Sequence, residues 1–317
     1  MKKTGGVFAN IMLLILLILL AGASYFLYLN WPRTPIALQQ TNTQGSVHAS
    51  DLPANYSSVS KQFYPNMRYT DRHISYSISS VCDDSRKSSM EEAFVTIADL
   101  TTLTFYPAPA STAQINVLCS DVAPEANEKD HFVAGEGGPS EVLNSSLYSV
   151  ILKGKIALYR PDKCHSSKIA IHELLHALGF DHNRNPKSIM YPTLSCDQEI
   201  DPQLITDIKN LYATDALPEL SVYDVKASKG GKYLNFDISV MNGGLVDASA
   251  VTLSVYADTT FIKDFELSTI EIGARKILNV ENLKIPASAT KISFVVDKNN
   301  DIPELIEDNN KEILVLS

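Results

Sequence analysis

The sequence predicts an apolar N-terminal helix, then an α+β domain, then an all-β sandwich. Three observations point there. Residues 7–29 carry no charge, and 11–20 are apolar throughout. Between 69 and 216, short alternating runs are interleaved with segments of helical period. Past Pro218 only alternating runs remain, separated by turn residues. The 317 residues have room for two domains of ordinary size, and 45% hydrophobic with 20% charged residues is the balance of a globular chain. A net charge of −9 argues against a nucleic-acid partner.

Residues 1–30 can cross a bilayer as one helix. Lys2 and Lys3 ahead of the apolar run favour a cytoplasmic N-terminus, and Tyr25, Tyr28 and Trp31 suit the far interface. Two readings stay open. A signal anchor would hold the protein at the cell membrane with everything downstream outside. A signal peptide cut after Ala23, in the Ala21-Gly22-Ala23 triplet, would leave it secreted. The apolar YFLYL beyond that triplet favours the anchor. Residues 31–68, rich in Thr, Ser, Gln, Asn and Pro, read as an extracytoplasmic stalk, although 63–67 also suit the folded domain. Asn55 and Asn144 head glycosylation sequons.

The domain at 69–216 begins with HISYSISSV (73–81), which places Ile74, Tyr76 and Ile78 on one face of a strand. Residues 85–101 follow as a helix with Met90, Phe94, Ile97 and Leu100 on one stripe. LTFYP and QINVLCS are short strands. A Gly-rich loop at 135–138 precedes two more, YSVIL and KIALYR. IAIHELLHAL (169–178) is a helix with no Gly or Pro inside it, and Asp201 caps a last helix with Pro202 at its first position.

His172 and His176 are four residues apart on that helix, so they share a face and can reach one small cation. Glu173 stands beside the first of them, where its carboxylate can hold a water. Gly179 suits the left-handed turn that ends a helix, and His182 then folds back as a third ligand. Three imidazoles leave a fourth zinc position open, the mark of a catalytic site. At ordinary residue frequencies the five fixed positions arise by chance in on the order of 1 chain in 10⁵ of this length.

HELLHALGFDH (172–182) resembles H-E-x-x-H-x-x-G-x-x-H, the metzincin zinc-peptidase signature, and SIMYPT (188–193) is similar to that clan's Met-turn in its matrixin form. The resemblance covers about 69–213. It implies a mixed five-stranded sheet with an active-site helix, one catalytic Zn2+ on His172, His176 and His182, and Glu173 as general base. It implies Met190 as an apolar floor beneath the metal, with Tyr191, Pro192 and Thr193 beginning the wall of the primary substrate pocket. An extended peptide would pair with an edge strand within 136–152. One departure stands out: matrixins usually have Ser after the third histidine, and this chain has Asn183.

From 217 to 317, five alternating segments make an antiparallel sandwich. PELSVYDVKAS, VMNGG and NNDIPELIEDNNKEILVLS resemble the cell-adhesion-related domain of surface proteins (CARDB), an immunoglobulin-like fold. That family implies a spacing or binding module without catalysis. Asp297, Asn299 and Asp301 have the spacing of a Ca2+ loop, but Ile302 replaces its glycine, which favours a plain strand turn.

Four cysteines, an even number outside a membrane, read as two disulfides with three connectivities open. Only the family resemblance chooses. In the metzincin sheet the strands ending at Cys82 and Cys119 are parallel neighbours, which pairs these two and leaves Cys164 with Cys196. No Pro-Arg-Cys switch motif precedes the domain. The expected function is a membrane-anchored zinc endopeptidase acting on protein or peptide substrates. The rival reading is a surface adhesion or binding protein with a vestigial peptidase domain.

Overall fold

A computed structural model describes residues 5–30, 36–40, 60–125, 133–162, 164 and 167–316. The sequon at Asn55 lies outside them. The apolar run forms α1 (Gly5–Asn30). Its side chains are described only over 12–26, where all are exposed. No helix among the described residues is long and apolar enough to cross a membrane, so the expected membrane span has no support from them.

Residues 31–68 are not one continuous stalk. The segment β1 (Ile36–Gln40) is a strand of the C-terminal sheet. From Ser60 the chain already belongs to the α+β domain. Phe63 N–H donates to the Gly179 carbonyl at 3.0 Å, and β2 (Met67–Tyr69) is fully buried. The composition of 31–68 concealed this because a strand of five residues and one of three are too short to show a period.

The α+β domain is built on a sheet in the order β2, β7, β5, β3, β4, with β6 on the outer edge of β7. Its members are β3 (His73–Ile78), β4 (Thr104–Pro107), β5 (Ile115–Cys119), β6 (Gly135–Asn144) and β7 (Ser149–Leu158). All pairings are parallel except β6 with β7. Strand β2 pairs with 149–151 and β5 with 154–158 of the same β7 edge, so β2 adds length rather than a sixth place across the sheet. The two strands expected at 148–152 and 155–160 are one, and the Gly-rich loop at 135–138 is the start of β6.

Helix α2 (Asp84–Leu100) starts where the Asp83 carboxylate accepts the Arg86 N–H at 2.8 Å. Met90, Ala93, Phe94 and Ile97 are buried on one stripe, while Leu100, expected there, is 39% exposed. The Cys82–Cys119 disulfide joins the ends of β3 and β5 at a Cα separation of 5.0 Å, and Cys164–Cys196 spans 5.1 Å. Loops of 37 and 32 residues each give about 3–4 kcal/mol of stability in the chain-entropy account. Arg68, 1% exposed, ties β2 to the end of α4 (Pro202–Leu211) through the Leu211 and Thr214 carbonyls and lies 4.4 Å from the Tyr212 ring centre.

The C-terminal domain is wholly antiparallel. Its strands are β8 (Leu220–Gly230), β9 (Tyr233–Asn242), β10 (Ala248–Ala257), β11 (Thr260–Ile270), β12 (Arg275–Lys284), β13 (Lys291–Val296) and β14 (Lys311–Leu316). The order is β11, β10, β13, β14, β1, β8, β9, β12. Phe236 of β9 packs on Phe294 of β13 and Phe265 of β11, so the halves on either side of β1 face each other across one core. Asp297 caps its own turn, accepting the Asp301 and Ile302 N–H groups at 3.1 and 2.7 Å.

The two domains meet at the turn between β6 and β7. Leu147, Tyr148 and Val150 are buried with Leu245 of the sandwich, and Ser145 Oγ donates to the Gly243 carbonyl at 2.9 Å.

Candidate active site

Helix α3 (Lys168–Ala177) is buried from Ala170 onward, which leaves room for polar groups only where they converge. It ends at Gly179, whose φ is +98° and whose Cβ, were there one, would lie 2.6 Å from Met67 Cγ. Conformation and space both require glycine there. The chain then returns His182 to the face that carries His172 and His176.

The three Nε2 atoms stand 3.0, 3.2 and 3.2 Å apart. Two backbone carbonyls fix the tautomers. His172 Nδ1 donates to Ile189 O at 2.6 Å, and His176 Nδ1 donates to Phe180 O at 2.7 Å. A carbonyl only accepts, so each proton sits on Nδ1 and each Nε2 points a bare lone pair at the others. Burial, aided by the neighbouring histidines, holds the His172 imidazole down at about 3. Burial likewise lowers His176 to about 4, and it lowers His182. The His172 and His176 lone pairs, with His182 Nε2 3.2 Å from each, bring three imidazole nitrogens close enough for one cation to join them. The donor set therefore fits a divalent metal such as zinc.

Glu173, 4% exposed, lies under β6. Its carboxyl is pushed up to about 8, first by burial and then by the charge of Glu136. Here the glycines of β6 find their reason. A Cβ on Gly135 would fall 2.8 Å from Glu173 Cγ, and one on Gly137 would fall 2.2 Å from the Glu173 carbonyl. Two glycines at strand spacing let the edge strand pass directly over the helix, and that spacing of two was the available signal. Between them, the exposed Glu136 accepts the Tyr159 hydroxyl at 2.7 Å, a bond that pushes the phenol up to about 12.

Met190 is 2% exposed beside the metal-site histidines. Asn183, the departure from the family pattern, anchors this turn. Its N–H donates to Met190 O at 2.9 Å and its Nδ2 to Ser188 Oγ at 2.7 Å. Ser188 is also bonded to Asp201, so Asp201 serves this network rather than capping α4 with its side chain. Pro192 and Thr193 line a cleft of about 1050 Å³ together with the histidines, Glu173 and the Cys164–Cys196 bridge. Tyr191 does not line it. Its N–H closes a turn onto Ser188 O at 3.1 Å, and the wall begins one residue later. Sequence reading did not anticipate Phe63, whose ring centre lies 5.7 Å from that of His176, or the Lys61–Asp181 ion pair beside His182.

Comparison with known proteins divides the chain at the same place. A family model described as Matrixin matches residues 68–213, and one described as CARDB matches 217–313. Over 136 residues the chain is 28% identical to the macrophage metalloelastase of Oryctolagus cuniculus, an alignment that covers 38% of this chain and 27% of that protein. The solution structure of a CARDB domain from Pyrococcus furiosus aligns at 23% identity with a TM-score of 0.28, covering 32% of this chain and 94% of that one. A crystal structure of the same domain with di-metal ions gives 22% identity and a TM-score of 0.27, covering 32% and 88%. Residues 68–213 thus match the matrixin family model and residues 217–313 match that of CARDB, with the break between the two domains falling between them.

Proposed function

We propose that the chain is a zinc-dependent endopeptidase, held at a membrane by α1, that cleaves extended polypeptides. The observation that carries this is the convergence of three histidine Nε2 atoms beside a buried carboxyl. His172, His176 and His182 would hold the ion. Zinc in such a site supplies Lewis acidity, which acidifies water and polarises a scissile carbonyl. Glu173 takes the proton from the attacking water and returns it to the leaving amine. Met190 and the Asn183–Ser188–Asp201 network keep His182 and the cleft wall in place. An extended substrate would add a strand to the outer edge of β6, whose only strand partner among the described residues is β7. The membrane part rests on the uncharged run at 7–29 behind Lys2 and Lys3.

The test is metal content together with cleavage of denatured casein, for the wild-type chain and for Glu173→Gln. Stoichiometric zinc with cleavage in the first and zinc without cleavage in the second is the expected result. Zinc without cleavage in both would favour the rival reading, a surface binding protein, which the CARDB domain supports. Carbonate extraction of membranes from cells making the chain with and without 1–30 tests the anchor.

A further inference from the structure

The seam between the domains is built, not incidental. The turn 145–148 that joins β6 to β7 is held from both sides. Within its own domain Ser145 N–H donates to Tyr148 O at 2.9 Å, and Asn66 Nδ2 donates to Leu147 O at 3.0 Å. From the sandwich, Leu245 completes the burial of Leu147, Tyr148 and Val150, and Ser145, fully buried, donates to Gly243 O. Two sandwich glycines are shaped for this approach. A Cβ on Gly243 would lie 2.7 Å from Ser146 Oγ, and one on Gly273 would lie 2.7 Å from Leu143 Cδ2 and 2.8 Å from Asn144 O.

The sandwich side is itself rigid. The buried Asn242 carboxamide accepts the Glu219 and Gly244 N–H groups at 3.1 and 3.0 Å and donates to Val246 O and Ile270 O at 2.7 and 3.0 Å. Leu245 N–H donates back to Leu217 O at 2.8 Å, in the connection between the domains. A module used only for spacing would turn polar, solvated surface toward its neighbour.

Strand β6 is therefore fixed at both ends. At Gly135 and Gly137 it lies on Glu173, and at Asn144 it lies against the sandwich. We infer that the CARDB domain is a positioning element of the peptidase, holding the far end of the cleft's edge strand so that an extended substrate meets it in a fixed register. The part concerning substrate rests on the peptidase reading above. The part concerning β6 does not. Leu147, Gly243 and Leu245 act through β6, so they are positioning residues and not catalytic ones.

The experiment uses the full chain and two variants. Gly243→Leu drives a wedge into the seam from the sandwich loop, where the backbone needs no positive φ. Leu245→Ala removes apolar contact without a wedge, and Leu245→Met serves as the conservative control. Amide exchange over 140–144 should speed up by about 10-fold or more in the first two variants and stay slow in the third. With a peptide long enough to cover β6, KM should rise roughly 5-fold or more while kcat stays within about 2-fold, and zinc content should not change. Should Gly243→Leu prove insoluble, Leu245→Ala carries the test. Unchanged exchange in the soluble variants overturns the inference whatever the activity. Faster exchange with unchanged KM overturns its substrate part. No cleavage by the wild-type chain overturns the peptidase reading and leaves the exchange result to decide the rest.

Discussion

The two domains reach order by different means. The α+β domain holds all four cysteines and places His172, His176, His182, Gly135 and Gly137 around one point, with little tolerance at each. The sandwich has neither histidine nor cysteine and is ordered by alternating side chains over a broad core. Its buried charges include Lys229 and the carboxyls of Glu219, Asp297, Glu304 and Glu312. In the first domain, single groups decide chemistry. In the second, area decides stability and single groups decide how it meets its neighbour.

The sharpest way to break this contrast is at Glu173. Glu173→Gln keeps shape and ligands, so zinc content should be unchanged while turnover falls about 10³-fold. His176→Ala should lose both metal and turnover. If Glu173→Gln kept near-full turnover, the proton-transfer role would be wrong.

Next comes the crosslink. Cys164→Ser with Cys196→Ser removes the bridge in the cleft wall, and urea denaturation should show a loss of about 3 kcal/mol. The sandwich holds no cysteine and so has no crosslink to remove.

A smaller effect is expected from removing 219–317. The sandwich was read from sequence as an independent module, but its loss exposes Leu147, Tyr148 and Val150. The remaining domain should fold with stability lower by about 2–3 kcal/mol. Equal urea midpoints for the two proteins would restore the independent module.

The smallest effect is a pH slope. Burial raises the Glu219 carboxyl to about 7 and the Glu304 carboxyl to about 8, against an ordinary value of 4.5. A folded-state pKa above the unfolded one means that the folded state binds the extra proton. Stability is then fully present below pH 4.5 and is lost as pH rises through about 7 to 8. Calorimetric midpoints of the sandwich transition should fall over that window, and the fall should shrink in the double variant with Glu219→Gln and Glu304→Gln. A flat profile in the parent protein would remove these carboxyls from the stability account.

What could be read beforehand follows the same division. His172, His176, Gly179, His182 and the Met-turn are legible because their chemistry demands fixed types at fixed spacings. The sandwich strands are legible because a half-buried strand must alternate. Strand β6 was not. Its glycines answer to a helix distant in sequence, and their spacing of two, the one local trace of a strand, suits a Gly-rich loop equally well. Leu100 sits on the right stripe of α2 but is the helix's last residue, and there it is 39% exposed. Asn183 looked like a departure from pattern, and only the fold shows it bonded to Ser188. Strand β1 is the extreme case, five residues whose partners lie almost a chain length away.

That strand gives the molecule an unusual threading. Since β1 precedes the α+β domain and β8 and β14 follow it, that domain is an insertion between two strands of one sandwich. During synthesis β1 emerges 193 residues ahead of its β8 partner (Ile36 to Lys229) and 278 ahead of its β14 partner (Leu38 to Leu316). A fragment that begins at residue 60 omits it and leaves the backbone edges of β8 and β14 without the strand between them, open to any extended segment that can take its place.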